Sequence, residues 1–351
     1  MTHTAPRAAS ATAPSNIAFV KYWGARDLER AVPLNPSISM TLSACVSRCE
    51  VQPLPGGEDE VLRRVQQGRG AERTERASPA FAGPVLAHLE RIRRRTGVEG
   101  AFRIVTGNSF PDSAGLASSA SGFAALTLAL ARAMGLRLTA AELSDLARRS
   151  GSGSAARSVF GGYVEWPAEQ PEELAEASAA APGCPAAEGS SAAARPLARA
   201  DHWDLRDVIG IVNRSPKPVS SREGHRRAVT SPYLGRRLEK LPERLARVRE
   251  AIERRDIGLL GPTLEEEAVD LHLIAMSSRP PIFYWQPGTL EIFDAVRALR
   301  ADGLAAYFTV DAGPNVHVIC LPEGEETVAM RLAGLSAVER VIRDGVGDGP
   351  S

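Results

Sequence analysis

The segment from Pro111 to Gly122, PDSAGLASSASG, limits what this chain can fold into more than any other stretch. It follows the strand-like run AFRIVT and precedes an Ala- and Leu-rich stretch over 123–134 with the composition of a buried helix. Backbone N–H groups at the start of a helix lack partners within the helix, and the helix dipole adds positive potential there. Taken alone, the loop allows two interpretations: an anion site with hydroxyls from Ser118 and Ser119, or an ordinary strand–turn–helix connection. It matches neither G-x-x-x-x-G-K-[ST] nor G-x-G-x-x-G.

The composition is that of a globular protein without a charge bias. The 351 residues include 42 Lys plus Arg and 42 Asp plus Glu, so no net field favours nucleic acid or an anionic membrane as a partner. No apolar run has transmembrane length and no secretory signal is recognisable, so we expect a cytoplasmic protein. The cysteines form no C-x-x-C pair and have no histidine at metal-ligand spacing, which predicts free thiols and no metal site made of protein ligands alone. They are Cys45, Cys49, Cys184 and Cys320.

Strand and helix patterns follow one another in both halves, which predicts an α+β architecture with a cleft between the halves. The predicted domains cover 15–205 and 206–345, with a flexible N-terminal tail at 1–14 and a C-terminal tail at 346–351. The stretch 167–200 is rich in Ala, Pro, Glu and Ser, and is predicted to be a surface insertion. Strands are predicted at 17–23, 38–46, 101–106, 162–166, 208–212, 305–310 and 316–321, and helices at 84–97, 123–134, 139–150, 232–256, 257–276 and 288–302.

Polar side chains stand where several apolar elements end. Lys21 would neutralise a phosphate or carboxylate if it faced a cleft, or would extend to the protein rim otherwise. Ser152, Ser154 and Arg157 offer two hydroxyls and a guanidinium fork for an oxyanion, or form a flexible loop with a surface arginine. Asp311 follows an apolar strand and either serves as a general base or caps its own turn. With the two serines of the first loop, these groups suit phosphoryl transfer to an alcohol on an anionic substrate.

Four segments in chain order resemble the signature motifs of diphosphomevalonate decarboxylases, which belong to the GHMP kinase superfamily. They are NIAFVKYWG at 16–24, AGLASSA at 114–120, RRSGSGSAARS at 148–158 and FTVDAGPN at 308–315. The resemblance implies a GHMP kinase-like, two-lobed α+β fold with the active site between the halves, and a homodimer. It also implies ATP- and Mg²⁺-dependent decarboxylation of mevalonate 5-diphosphate to isopentenyl diphosphate, ADP, phosphate and CO₂. The 3-hydroxyl is phosphorylated, phosphate leaves, and loss of the carboxylate supplies the electrons of the new double bond.

The same resemblance assigns roles to individual residues. Asp311 would lie at the 3-hydroxyl as the catalytic carboxylate, with Lys21 near the reacting groups. Ser152 and Ser154 would hold the substrate, and Arg157 would pair with its carboxylate. The other implied contacts are Tyr22 and Arg222 for the substrate phosphates, and Gly115, Ser118 and Ser119 for ATP and Mg²⁺.

One departure from the family pattern concerns the substrate diphosphate. Ala25 occupies the position where K-Y-W-G is usually followed by a lysine that helps bind the diphosphate. Loss of one such cation costs on the order of 1–3 kcal/mol. Arg26, Arg214 or Lys217 would then compensate, or the substrate carries fewer charges. Two further departures near the expected pocket are His225, where methionine is common, and Ser150, where a longer side chain is common.

These departures keep three alternatives open beside the diphosphate decarboxylase. One is a phosphomevalonate decarboxylase that acts on mevalonate 5-phosphate. Another is a mevalonate 3-kinase-like enzyme that phosphorylates the 3-hydroxyl without releasing CO₂. The last is a nucleotide-binding protein of the same fold without catalysis, which the presence of both Lys21 and Asp311 disfavours.

Overall fold

Two β-sheets, one in each half of the chain, organise the computed structural model, which describes residues 6–67, 71–110, 117–168, 193–215 and 217–351. The N-terminal half contains β1 (Ala9–Val20), β2 (Ala25–Asp27), β3 (Val32–Pro33), β4 (Ser37–Leu54), β5 (Glu60–Gln67), β6 (Ala71–Arg76), α1 (Pro79–Thr96), β7 (Ala101–Asn108), α2 (Ser118–Ala133), α3 (Ala140–Arg148), β8 (Tyr163–Trp166) and β9 (Arg195–Ala198). The C-terminal half contains β10 (Arg206–Ile211), α4 (Ser221–Ala228), α5 (Leu234–Arg254), α6 (Ile257–Ser277), α7 (Pro287–Ala301), β11 (Ala306–Thr309), β12 (Val316–Cys320), α8 (Glu325–Ala333) and β13 (Arg340–Gly345).

The first sheet is built around the long strand β4. Its strands run in the order β6-β5-β7-β4-β8-β9, and β1 pairs with β4 outside this path. The β5–β7 pair is parallel and the other pairs are antiparallel. Apolar residues of β1, β4 and β7 pack beneath α1, α2 and α3, with Leu89, Phe102 and Leu130 fully buried. This packing fixes the start of α2, which carries Ser118 and Ser119, at one end of the sheet.

The second sheet joins the two halves. Its antiparallel strands run in the order β11-β12-β10-β13, and alternate residues point to opposite faces. One face packs on α7 and α8 through residues such as Val318. The other face contributes Ile209 and Ile319 to a core shared with Phe19 of β1 and Leu264 of α6. The ends of β1 and β11, from the two halves, are therefore brought together at one cleft.

Three sequence-based boundaries need correction. The flexible tail predicted at 1–14 is wrong for residues 9–14, which belong to β1, because Ala11 and Ala13 are small enough to be buried under α2. The segment 346–351 is attached to the N-terminal half, where Thr12 and Ser351 exchange two backbone hydrogen bonds of 2.9 Å. The predicted insertion over 167–200 is too long, since Arg195–Ala198 pairs with β8 as an edge strand, where proline is tolerated. Residues 169–192 lie outside the described residues.

Two smaller predictions concern thiols and membranes. Cys45, Cys49 and Cys320 are buried free thiols, whereas Cys184 lies outside the described residues. Across the part of the chain that the structure describes, we find no helix with both the length and the apolar character that a membrane crossing requires.

Candidate active site

Lys21 and Asp311 form an ion pair between the two halves of the chain. Lys21 follows β1 directly, and its Nζ donates hydrogen bonds of 2.7 Å to Asp311 Oδ1 and to the carbonyl oxygen of Ala18. Burial lowers the pKa of Lys21, while the Asp311 charge opposes that effect. Burial acts to raise the pKa of Asp311, but the charge and the hydrogen bond of Lys21, together with smaller contributions from His317 and Arg157, hold that pKa below its ordinary value. A partly exposed, ionised carboxylate therefore faces the cleft at neutral pH.

Arg157 provides a second buried cation beside this pair. Its Nε and Nη2 donate to Asn16 Oδ1 at 3.2 and 3.0 Å, and its Nη1 donates to Ser37 Oγ. Asn16 in turn donates to Ser158 Oγ at 2.8 Å. Burial lowers the pKa of Arg157 to about 10, so the guanidinium remains charged at neutral pH. The hydrogen bonds hold this charge in one orientation at the cleft.

Three serine hydroxyls form a row from α2 to the turn before β8. Ser119 Oγ lies 3.1 Å from Ser152 Oγ, which lies 3.4 Å from Ser154 Oγ. The turn carrying the latter two needs glycine, because a Cβ at Gly153 would lie 2.7 Å from Trp166 Cη2. The α2 start and this turn are thus joined through hydroxyls that can donate to an anion.

Two cavities meet at Ser118 and Ser119. The larger, about 540 Å³, is lined by Asp311 and by the other polar groups of the cleft. The smaller, about 300 Å³, has mostly apolar walls. Its walls include Phe81, Val85, Ile104, Phe123 and Leu126, with Arg63 and Asn108. The two serines therefore lie between an apolar slot and a polar cleft, whereas the predicted site residue Gly115 lies outside the described residues.

Aromatic side chains line the cleft beside the serine turn, where Tyr22 and Trp166 pack against Gly153. The rings of Tyr22 and His225 stack with centroids 4.1 Å apart, and Tyr22 contacts Trp166 edge-on. His225 Nδ1 accepts a hydrogen bond from the Gly24 N–H at 3.0 Å, so the neutral ring carries its proton on Nε2. Burial, with the charge of Lys217 adding to it, lowers the His225 pKa to about 3. Burial also raises the pKa of Tyr22, so this wall offers uncharged donors at neutral pH.

Two family models match the chain over both halves. Residues 13–180 match the diphosphomevalonate decarboxylase-like N-terminal domain, and residues 208–344 match the mevalonate 5-diphosphate decarboxylase C-terminal domain. The chain belongs to the diphosphomevalonate decarboxylase family.

Curated relatives and solved structures agree with this membership. A diphosphomevalonate decarboxylase of Eremothecium gossypii is 36% identical, with 94% of this chain and 81% of the relative covered. The enzyme of that name from Rattus norvegicus is 33% identical, with 92% and 78% covered. The mevalonate diphosphate decarboxylase from Enterococcus faecalis superposes with a TM-score of 0.83 at 32% identity over 99% of both chains. A structure described as MDDEF in complex with MVAPP, AMPPCP and magnesium gives 0.84 at 33% identity, again over 99% of each chain. The predicted α+β fold is thereby confirmed, with the two domains of this decarboxylase family.

The structure gathers the described members of the predicted site around one cleft, and their roles in the family reaction stay predictions. Asp311 and Lys21 pair at one end, and Arg222 lies exposed in the first turn of α4 on the same cavity. The remaining ones that line it are Tyr22, Ser118, Ser119, Ser152, Ser154 and Arg157.

Lys217 was predicted only as one of three residues that could compensate for the missing lysine at position 25. Its location beside Asp311 and Ala312 was not predicted. Its Nζ donates to the carbonyl oxygen of Ala312 at 2.8 Å and to Ser221 Oγ at 2.7 Å. Burial lowers its pKa to about 8, against the opposing charge of Asp311. Arg214 pairs with Glu339 instead and is absent from the cavity wall. The neighbouring Pro and Ser residues in the sequence give no signal that this half-buried lysine lies at the cleft.

Proposed function

We propose that this chain catalyses the ATP-dependent decarboxylation of mevalonate 5-diphosphate to isopentenyl diphosphate, with release of ADP, phosphate and CO₂. The observation that carries the proposal is the buried Lys21–Asp311 pair, which lies at 2.7 Å in a cleft that also contains the fixed Arg157 cation. These three groups provide a hydroxyl acceptor, a charge for the reacting phosphate and a partner for a carboxylate.

Asp311 would act on the 3-hydroxyl of the substrate. Lys21 occupies Oδ1, so the other carboxylate oxygen remains to accept a hydrogen bond from the hydroxyl. A carboxylate with a lowered pKa is a weak base, but phosphoryl transfer through a loose transition state needs little proton removal before the bond to phosphorus breaks. Asp311 therefore orients the hydroxyl oxygen and takes its proton late in the transfer.

Arg157 would bind the carboxylate that is lost as CO₂. When the phosphate leaves with the C–O electrons, the C–C electrons of the departing carboxylate form the new double bond. The Arg157 guanidinium stays in one position during the reaction, because Asn16 and Ser37 accept hydrogen bonds from it. A fixed cation orients the carboxylate for loss, which is the kind of positioning that accelerates a reaction without new covalent chemistry.

The serine row fits ATP and Mg²⁺. The N-cap residue Ala117 makes no side-chain hydrogen bond to the first turn of α2, and a helix N-terminus of this kind favours an anion. The adjoining apolar cavity has the character expected of a purine slot. Within the described residues, no three His, Cys, Asp or Glu side chains are grouped for a metal ion, so we expect Mg²⁺ to be held by nucleotide phosphates and by Ser118 and Ser119. When bound, Mg-ATP supplies the phosphoryl group, and Gly115 remains a predicted part of this loop.

Mevalonate 5-phosphate is the second candidate substrate, because position 25 lacks the lysine that the family pattern places at the phosphate end of the cleft. Ala25 offers no cation, and the aromatic wall of Tyr22 and His225 is uncharged. Of the three residues predicted to compensate, Lys217 donates to Ala312 near the reacting end, and neither Arg26 nor Arg214 is on the cavity wall. Arg222 lines the cavity and is the predicted cation for the outer phosphate. The oligomeric state is a separate prediction. The family resemblance implies a homodimer, and light scattering would measure the mass of the particle in solution.

One assay tests the function and the substrate together. CO₂ and ADP release are measured with Mg-ATP and with mevalonate 5-diphosphate, mevalonate 5-phosphate or mevalonate offered separately. We expect both products from the diphosphate. CO₂ from the monophosphate alone would identify the second candidate, ADP without CO₂ would identify a kinase, and no product from any substrate would contradict the catalytic proposal.

A further inference from the structure

A buried ion pair, for which the mechanism above has no role, holds the peptide of Lys21 from two sides. Glu267 of α6 accepts a hydrogen bond from the Lys21 N–H at 2.9 Å. Arg237 of α5 donates to the Lys21 carbonyl oxygen at 2.7 Å, and Asn35 donates to the same oxygen at 2.9 Å. Glu267 and Arg237 meet at 2.7 Å and are almost wholly buried. Side chains from elsewhere in the chain thus fix both the N–H and the carbonyl oxygen of Lys21.

These contacts attach Lys21 to the half of the chain that carries Asp311. Lys21 follows β1 in the N-terminal half, whereas Arg237, Glu267 and Asp311 belong to the C-terminal half. The 2.7 Å contact between the Lys21 ammonium and Asp311 depends on where the Lys21 peptide lies. A displacement of about 1 Å in such a contact is enough to cost a large factor in rate.

Fold stability alone is a weak reason for this arrangement. A buried ion pair contributes little to stability, because the desolvation of both charges offsets their attraction, and apolar side chains of similar volume often serve as well. Here Glu267 accepts a hydrogen bond from the Lys21 N–H, and Arg237 donates one to the Lys21 carbonyl oxygen. Arg244 donates to the other oxygen of Glu267 at 2.7 Å. Neither Glu267 nor Arg237 lines the cleft, so an effect on the reaction must pass through Lys21.

We propose that Glu267 and Arg237 are positioning residues, which hold the Lys21 peptide where its ammonium meets Asp311. The inference rests on the role proposed above for the Lys21–Asp311 pair. Burial lowers the pKa of Lys21, and the charges of Asp311 and Glu267 oppose that effect. Loss of the Glu267 carboxylate therefore lowers the Lys21 pKa further. The charged and titratable groups that face Lys21 are Asp311, Glu267, Arg157, Arg237, His272 and Asp207.

An NMR titration reads this effect without any need for activity. The sequence contains three lysines, Lys21, Lys217 and Lys240, so each ¹³Cε resonance can be assigned with one Lys→Arg variant. In Glu267→Gln we expect the Lys21 pKa to fall. Glu266→Gln is the matched control, because this neighbour pairs only with Arg244 and Arg247 among the described ion pairs. Glu266→Gln should leave the pKa of Lys21 unchanged.

Steady-state kinetics supply the second readout. A positioning role predicts that kcat of Glu267→Gln falls between about 10-fold and 100-fold, with KM for both substrates within about twofold of the wild type. If Glu267→Gln does not fold, because Arg237 is left buried without its partner, the double variant Glu267→Gln/Arg237→Met removes both charges together and carries the kinetic measurement.

Two results would overturn the inference: a folded variant with an unchanged Lys21 titration, or one with a raised KM and an unchanged kcat. A wild-type protein that releases neither ADP nor CO₂ contradicts the proposed function instead. In that case the titration still decides whether Glu267 and Arg237 govern Lys21.

Discussion

His225 Nδ1 accepts a hydrogen bond of 3.0 Å from the backbone N–H of Gly24, which fixes a neutral imidazole against the loop that follows Lys21. The bond leaves the ring proton on Nε2, and the ring lines the cleft with its face stacked on Tyr22. His225 therefore combines two tasks at the phosphate end: it orders the loop that contains Ala25, and it offers a donor whose protonation is constant near neutral pH.

The His225→Met variant tests that donor. One neutral hydrogen bond contributes about 0.5–1.5 kcal/mol, so we expect KM for the phosphorylated substrate to rise between about 2-fold and 10-fold with little change in kcat. His225→Gln keeps both a donor and an acceptor, and should recover much of the loss. An unchanged KM in the methionine variant would exclude His225 as a substrate contact.

Ala25→Lys tests whether position 25 sets the preference between diphosphate and monophosphate. A charged hydrogen bond contributes about 1.5–3 kcal/mol, so the ratio of kcat/KM for the diphosphate to that for the monophosphate should rise by about 10-fold or more. Ala25→Gln, which is polar but uncharged, is the matched control. If lysine and glutamine change the ratio equally, the missing charge is not the cause of the preference.

Asp311→Asn tests the central carboxylate. Removal of a positioned proton acceptor costs between about 10²-fold and 10⁴-fold in kcat, and we expect the ATP-dependent release of CO₂ to fall within that range. Asp294→Asn removes an exposed carboxylate that pairs with Arg297 on α7, and serves as the control for a surface charge change. An Asp311→Asn enzyme with near wild-type turnover would remove Asp311 from the mechanism.

Local signals allowed much of the fold and part of the site to be predicted. The helix predicted at 139–150 is confirmed as α3, whose start is fixed by a capping box of Thr139 and Glu142 with local hydrogen bonds. Helix α4, SREGHRRA, was missed because it is almost wholly polar and forms through packing, with Gly224 directly against Trp23. Lys21 and Asp311 could be identified from the sequence because each follows the end of an apolar strand.

Glu267 and Arg237, which contact the backbone of Lys21, could not be identified from the sequence. Glu267 lies 246 positions from Lys21 in the chain, on a helix whose surface carries several other acidic residues. A sequence pattern cannot distinguish the one carboxylate that the shared core buries from its exposed neighbours, so only the packing of the two halves identifies it.

Lys217 predicts an alkaline limit to activity. Its pKa, lowered to about 8 by burial, means that its charge is lost as the pH rises through that value. If the ammonium helps bind the anionic reactants, kcat/KM falls above about pH 8, and Lys217→Arg, which stays charged, should extend the plateau to higher pH. If wild type and variant had the same pH profile, the fall in kcat/KM at high pH would belong to another group.

Three buried histidines predict a loss of stability in acid. Burial lowers the pKa of His88 and His225 to about 3 and that of His272 to about 4, whereas an unfolded chain titrates near 6.5. Below about pH 6.5 the unfolded state therefore binds more protons than the folded state, and the free energy of unfolding falls as the pH drops toward 4. Each histidine contributes at most about 1.4 kcal/mol per pH unit. Urea unfolding between pH 7 and pH 4.5 measures the slope.

The variant His88→Gln isolates one of these contributions. His88 belongs to α1 and lines neither cavity, and its Nε2 contacts Thr127 Oγ1 at 2.9 Å, a contact that an amide can keep. Glutamine does not titrate, so the slope of the unfolding free energy against pH should decrease by up to about 1.4 kcal/mol per pH unit, with CO₂ release unchanged. An identical slope in variant and wild type would show that His88 is already protonated in the folded protein, or that its pKa does not differ between the two states.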